Sequence, residues 1–297
     1  MSTDSRKIDV LDDGFVRLVD YYGDDRRIVD AARVSIAGEG VKAVTKDEFL
    51  IRYLMRHRHT TPFEMVDFTF HVKVPIFIGR QWMRHRTFSY NEMSGRYSEL
   101  PEEYYIPDPK HINFQAPKNK QGRADEPVSV PLASFFIKLL QDSCINVFKD
   151  YHTFLGKDVD GTSCVLTQEL KEELDENGGF AREISRMGLP LCTYTEYYAK
   201  ANLWNWFHFL GLRLDGHAQY EIRVYAEAVA KFIKEACPIA WSAFEDYRLN
   251  AMYLTSHDVN ALRMILNSHK NIESSYEFPT KRELTEFRGK LRRLVDG

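Results

Sequence analysis

The chain has 297 residues, enough to bury a sizeable core in one large domain or two ordinary ones. Hydrophobic residues make up 44% and charged residues 28%, and 40 basic against 43 acidic side chains leave a formal net charge of -3. That balance excludes a general electrostatic attraction to nucleic acid or to an acidic membrane, so any basic site has to be local.

In chain order, the opening "MSTDSRKIDVLDDGF" lacks the apolar run of a signal peptide. No later stretch approaches the roughly 18 apolar residues of a membrane span, and the expectation is a cytoplasmic protein with no membrane contact. "GFVRLVDYYG" at 14–23 reads as a short strand, after which Asp24 or Asp25 caps a helix through "RRIVDAARVS". A second helix, "EFLIRYLMRHRH", closes at "TTPFE". Val66, Phe68, Phe70, Val72 and Val74 alternate with Asp67, Thr69, His71 and Lys73, the period of a half-buried strand. "IFIGRQWMRHR" follows as a helix with Arg80 and Arg84 on one face, opening into a loop rich in Ser, Asn and Gly. Residues 107–130 are polar and aperiodic and predict a long surface loop or insertion. Beyond it, Leu132, Phe135, Phe136, Leu139, Leu140 and Ser143 mark a helical stripe, and "TQELKEELDENGG" is a helix ended by its glycines. "NLWNWFHFLGLRLD" buries Leu203, Trp206, Phe207, Leu210 and Leu214, and a further helix ends at Pro238. From about residue 250 the chain reads as a helical extension, with Leu284, Phe287 and Leu291 on one side of the last helix. One clear strand, a few near the N-terminus and many amphipathic helices predict an α+β fold: a small, mostly antiparallel sheet with flanking helices in a single compact domain.

The polar residues on these frameworks carry the functional signal. Asn202 and Arg213, eleven apart, fall on nearly one helical face, with His217 near that line if the helix continues. Arg182 and Arg186 stand at i and i+4, a spacing that equally suits a solvated face. His208 and His217 equally suit ordinary helix histidines. The two basic knots, "RHRH" at 56–59 and "RHR" at 84–86, have Phe88, Tyr90 and Tyr97 nearby, as a nucleic-acid patch would, but Glu92 and the net acidity oppose that use. Cys144, Cys164, Cys192 and Cys237 show no C-x-x-C spacing, so neither a disulfide framework nor a metal site is expected. No G-x-G-x-x-G fingerprint is present; "AGEG" at 37–40 falls short of one.

Order and spacing then narrow the choice. Arg84, His85, Arg86, Ser89, Asn91, Glu92, Ser94, Arg96 and Tyr97 match the R-H-R-x-x-S-x-N-E-x-S-x-R-Y signature, and the chain resembles the flavin-dependent thymidylate synthases. "HTTPFE", "FTFHVKVPIFIGRQW" and "LRLDGHAQYEIR" resemble that family's segments in the same order. The resemblance implies conversion of dUMP to dTMP with methylenetetrahydrofolate and NADPH as co-substrates and bound FAD carrying the hydride. It also implies a homotetramer with active sites between subunits. By the same resemblance Gln81, Arg84, Glu92, Ser94, Gly95, Arg96, Arg186 and Arg213 bind dUMP, with Arg213 acting on the uracil ring. FAD contacts fall to His59, Thr61, Arg84, His85, Arg86, Glu92, Asn202, His208 and His217. Two other readings stand beside this one: a cysteine-dependent thymidylate synthase using Cys192, and an RNA-binding module.

Overall fold

The alternating apolar residues of 66–74 form the middle of the protein. The structure, a computed structural model, describes residues 6–34, 47–117, 121–157, 166–268 and 281–296. Strand β3 (Asp67–Pro75) lies in a five-stranded antiparallel sheet with β1 (Lys7–Val10), β2 (Gly14–Tyr22), β4 (Ser89–Glu92) and β7 (Tyr194–Asn202). The strand order is β1-β2-β3-β7-β4, and with its helices the fold is α+β as expected.

Phe68, Phe70, Val72 and Val74 are fully buried beneath α7 (Leu203–Arg213) and α8 (Tyr220–Ala236). The Phe70 ring meets Trp206 edge-on at 4.9 Å and Phe232 at 5.9 Å. The Trp206 indole N–H donates to the Phe68 carbonyl at 3.2 Å, and the Tyr225 hydroxyl donates to the Lys73 carbonyl at 2.7 Å. A Cβ at Gly14 would sit 2.0 Å from that hydroxyl, so only glycine fits where Tyr225 crosses the sheet. Helix α3 (Ile76–Trp82) runs on directly from β3, and its Trp82 stacks on Phe209 at 4.6 Å.

Both capping candidates near residue 24 are used, on different helices. Asp24 accepts from the Arg26 and Arg27 amides at the start of α1 (Asp25–Val34). Asp25 instead accepts from Ile239 and Ala240, at 2.8 and 2.9 Å, in the first turn of α9 (Pro238–Phe244). Helix α2 (Asp47–Arg56) stands where the second helix is expected.

Several expectations need correction. Strand β7, which pairs with β3 along all nine of its residues, was not anticipated. Helix α3 stops at Trp82, so Arg84 lies beyond it and does not share a helical face with Arg80. Where a long loop was expected, residues 107–130 hold a 3-10 turn (Pro109–His111) and a hairpin of β5 (Asn113–Gln115) and β6 (Arg123–Pro127). That hairpin is tied to the start of α8: His111 stacks on Tyr220 at 3.6 Å, and Arg123 donates to both oxygens of the buried Glu221. Helix α4 (Val130–Phe154) packs through Ala133, Cys144, Phe148 and Tyr151, whereas Leu132, Phe135, Phe136 and Leu139 of the expected stripe are exposed. Helix α5 (Gln168–Glu176) is capped by Thr167, and the chain leaves it through Gly178 and Gly179, both at positive φ. The segment 37–40 and Cys164 lie outside the described residues.

The chain divides into two compact units, Met1–Phe244 and Glu245–Gly297. In the second, α10 (Ser256–Ser268) and α11 (Lys281–Asp296) are joined by an ion pair between the buried Asp258 and Lys290. Phe287 of the expected last helix is buried. Among the described residues no helix is long and apolar enough to cross a membrane.

Trp206 joins sheet to helix through both its ring and its N–H. In urea unfolding, Trp206→Ala is expected to lose about 3–5 kcal/mol of stability. Trp206→Phe, which keeps a ring but removes the indole N–H donor, should lose less. An alanine variant as stable as the parent would show that this contact does not organise the core.

Candidate functional site

The signature begins where α3 ends, and local hydrogen bonds set its shape. The Tyr90 hydroxyl lies 3.0 Å from the carbonyl oxygens of both Trp82 and His85, donating to one at a time, and it closes the turn between helix and strand. Residues 89–92 are not open loop but edge strand β4, paired with β7 from Ser89↔Lys200 to Glu92↔Tyr197. The Glu92 carboxylate accepts from the Thr195 hydroxyl at 2.8 Å. Past β4 the chain turns on Ser94, whose Oγ accepts from the Arg96 amide and whose carbonyl accepts from the Tyr97 and Ser98 amides.

That turn meets the segment around Arg186. Gly95 is buried, and a Cβ there would come within 3.1 Å of Arg186 Cδ and 3.2 Å of Leu100, so glycine lets the arginine stem lie against the backbone. Arg96 Nε pairs with Glu183 at 3.0 Å, and Arg182 donates to the Tyr97 carbonyl at 3.2 Å. The expected i, i+4 face of Arg182 and Arg186 does not form, because α6 (Arg182–Ser185) is a single turn and Arg186 opens a 3-10 turn. The two arginines reach the signature separately. Gln81 on α3 has a buried Oε1 without a hydrogen-bond partner among the described residues. Arg84 and Arg86 are exposed and, like Arg186, make no side-chain hydrogen bond or ion pair among the described residues.

A second cluster forms around His85. Arg213, the last residue of α7, donates from Nε to His85 Nε2 at 3.1 Å, which places the His85 proton on Nδ1. His85 is buried, and its ring lies 5.8 Å from that of the exposed His208. Burial, then the Arg213 charge, then His208 hold its pKa down to about 4, so the ring is neutral near pH 7. Burial also lowers the pKa of Arg213.

Asn202 does not sit on a helical face with Arg213. It is the N-cap of α7, its Oδ1 accepting from the Asn205 amide at 2.9 Å. His217 is not in line with them either: the helix stops at Arg213, and the histidine is 89% exposed beside Asp215. His59 ends α2 in a Schellman turn, its amide donating to Leu54 and that of Arg58 to Met55, with Arg58 at φ 60°. Its ring meets Tyr53 at 5.8 Å. Thr61 follows on the surface. The structure therefore joins His85, His208 and Arg213 in one group and Ser94, Gly95, Arg96 and Arg186 in another, with β4 between them. It does not bring His59, Thr61 or His217 into contact with either.

Sequence reasoning missed Thr195 and Glu183, which hold Glu92 and Arg96. Their only local signal is a polar residue beside a strand or turn. Burial raises the Cys192 thiol pKa and its sulfur contacts Cys144, so the thiol rests protonated rather than as the ready thiolate that attack on a pyrimidine requires.

The chain is similar to known proteins over most of its length. Residues 17–239 match the family described as thymidylate synthase complementing protein. The flavin-dependent thymidylate synthase of Rickettsia bellii is 44% identical over 279 residues, covering 94% of this chain and 91% of its own. That of Thermus thermophilus is 49% identical over 259 residues, covering 87% of this chain and 86% of its own. A crystal structure of the UMP/dUMP methylase PolB from Streptomyces cacaoi, bound with 5-Br UMP, superposes with a TM-score of 0.67 at 32% identity. It covers 82% of this chain and 98% of that one.

The low His85 pKa carries a sign that can be measured. Between the ordinary 6.5 and about 4 the unfolded chain binds a proton that the folded ring does not. The stability His85 contributes is complete above pH 6.5 and is lost as the pH falls towards 4. By NMR titration its imidazole should titrate near 4, and Arg213→Ala should move it upwards towards 6.5. An unchanged midpoint in that variant would show that the guanidinium does not act on the ring.

Proposed function

The chain belongs to the flavin-dependent thymidylate synthase family, and on that premise we propose that it methylates dUMP reductively to dTMP, with methylenetetrahydrofolate, NADPH and bound FAD. The observation that carries this reading is what the fold leaves unused: the guanidiniums of Arg84, Arg86 and Arg186 and the buried Oε1 of Gln81. Cationic forks without partners fit phosphates. An orphaned buried amide oxygen fits a hydrogen-bonding ring. The residues present therefore suit both a nucleotide monophosphate and a flavin dinucleotide.

In this reading Ser94, Gly95, Arg96 and Arg186 take the dUMP phosphate, and Gln81, Arg84, Glu92 and Arg213 hold the rest of the nucleotide. His59, Thr61, Arg84, His85, Arg86, Glu92, Asn202, His208 and His217 hold FAD, which supplies the hydride transfer when bound. Arg213 acts on the uracil ring. Its Nε is already occupied by His85, which fixes the guanidinium plane and leaves both Nη groups to face a carbonyl and adjacent nitrogen. Because His85 is neutral, it orients that cation without competing for the charge developing on the pyrimidine. Glu92, held at one oxygen by Thr195, keeps the other for ligand.

The reading extends to assembly. One domain with a C-terminal helical extension would act in the cytoplasm as a homotetramer with active sites between subunits. Two observations support this: the apolar outer face of α4, with Phe135 64% exposed, and the separation of His59, Thr61 and His217 from His85 within one chain.

The purified protein is expected to carry FAD or to take it up, with flavin absorbance. Arg84→Ala should release much of it, since a hydrogen bond to a charged group contributes about 1.5–3 kcal/mol. A protein that gains no flavin absorbance when supplied with FAD would overturn the proposal. Arg186→Ala should weaken apparent dUMP affinity more than maximal turnover, as expected for binding shared by ground and transition states. Arg213→Ala should instead lower turnover at saturating dUMP by about a hundredfold, with FAD retained. If Arg213→Ala regains full turnover when dUMP is raised, the residue only binds. Cys192→Ala should keep its turnover; a folded but inactive variant would restore the cysteine-dependent alternative.

A further inference from the structure

Cys144 and Cys192 are far apart in sequence yet meet thiol to thiol, Sγ to Sγ at 3.6 Å. Cys144 is buried on the packed face of α4. Cys192 precedes β7 and lines an open cleft of about 390 Å³ with Phe77, Tyr105, Arg123 and Glu221. Its backbone is held on both sides: the Leu191, Cys192 and Thr193 carbonyls accept from the amides of Phe77, Tyr105 and Ile76. The pair thus offers one thiol open to a small solute and a second one behind it. Among the described residues the remaining cysteine, Cys237, is buried and contacts no other sulfur.

We propose that Cys144 and Cys192 are a redox pair that closes to an intramolecular disulfide when the protein meets a hydroperoxide. The Cys192 sulfur, having lost its proton, attacks one peroxide oxygen. The O–O bond breaks, hydroxide leaves as water, and Cys192 becomes a sulfenic acid. The Cys144 sulfur then loses its proton and attacks the Cys192 sulfur, breaking its S–O bond and releasing a second water. Two thiols are oxidised by two electrons and one peroxide is reduced to two waters. The sulfurs need to approach by about 1.5 Å to reach the roughly 2.05 Å of a disulfide. Burial raises both thiols, Cys144 to about 12, so the pair rests protonated and reacts with peroxide slowly, through a small thiolate fraction. The cross-link would join α4 to the segment that carries Arg186 six residues upstream.

The test treats the whole protein with hydrogen peroxide, blocks remaining thiols with iodoacetamide in denaturant, and maps non-reduced peptides by mass spectrometry. The expected result is one cross-linked peptide pair joining Cys144 to Cys192, lost on treatment with dithiothreitol, together with a higher thermal midpoint for the oxidised protein. In Cys192→Ser, Cys144 should stay fully alkylatable. The proposal fails if Cys192 proceeds to sulfinic acid while Cys144 remains alkylatable, if either pairs with Cys164, Cys237 or another copy of the chain, or if neither reacts. Should Cys192→Ser not fold, the peptide map of the unaltered chain decides alone.

Discussion

The pairing of β7 with β3 is the constraint on which both the core and the site depend. Its register, from Asp67↔Asn202 to Pro75↔Tyr194, sets Tyr197, Ala199 and Ala201 in the buried layer with Phe68, Phe70 and Val72. A slip by one residue would turn every one of these side chains to the opposite face. The same register fixes where β7 ends. Asn202 then caps α7, and the eleven residues of that helix carry Arg213 to His85. The other edge of β7 holds β4, and with it Ser89, Asn91 and Glu92 of the signature. One strand therefore positions both clusters, so the site inherits the rigidity of the sheet's centre although most of its side chains lie at the surface.

Burial sets the electrostatics of the inner cluster. An imidazole and a guanidinium 3.1 Å apart would repel if both were charged, and only one of them can give up its proton near neutral pH. His85, being buried, does so. The result is a cation oriented by a neutral acceptor, which suits the role proposed for Arg213 beside a bound ring. Had His85 been exposed, its ring would compete for the same anion and Arg213 would lose its fixed plane.

Much of this was legible in the sequence, and the failures have physical causes. The alternation of β3 is plain because its inner positions are Phe and Val and its outer ones Asp, Thr, His and Lys. Strand β7 alternates equally well, but its inner positions include small alanines and its outer ones the aromatic Tyr198, so a hydrophobicity pattern does not reveal it. Asn202 directly precedes an apolar run, which is a cap signal; treating it as helix interior produced the mistaken face with Arg213. The α4 stripe was found correctly as apolar, yet apolarity alone does not distinguish a face for the chain's own core from one that stays exposed. The family was readable from the signature's order and spacing, whereas the pairings of Glu92 with Thr195 and Arg96 with Glu183 depend on a register that no local pattern encodes.

The arginines themselves separate by the burial of their ion pairs. Arg123 grips both oxygens of Glu221, whose side chain is almost wholly buried, and Tyr105 and Gln219 donate to the same carboxylate. Removing one partner of such a pair strands a buried charge and typically costs about 3–5 kcal/mol. Arg123 is thus committed to holding the 113–127 hairpin on α8. Arg96 also has a carboxylate partner, but both members of the Arg96–Glu183 pair are more than half exposed. A solvated pair of this kind contributes only about 0–1 kcal/mol. In the proposed function a phosphate takes Arg96 from Glu183 at little cost, while among the described residues Arg84, Arg86 and Arg186 make no such pair. The fold therefore keeps its strong ion pair where the hairpin has to be held and its weak one where, in the proposed function, a ligand enters.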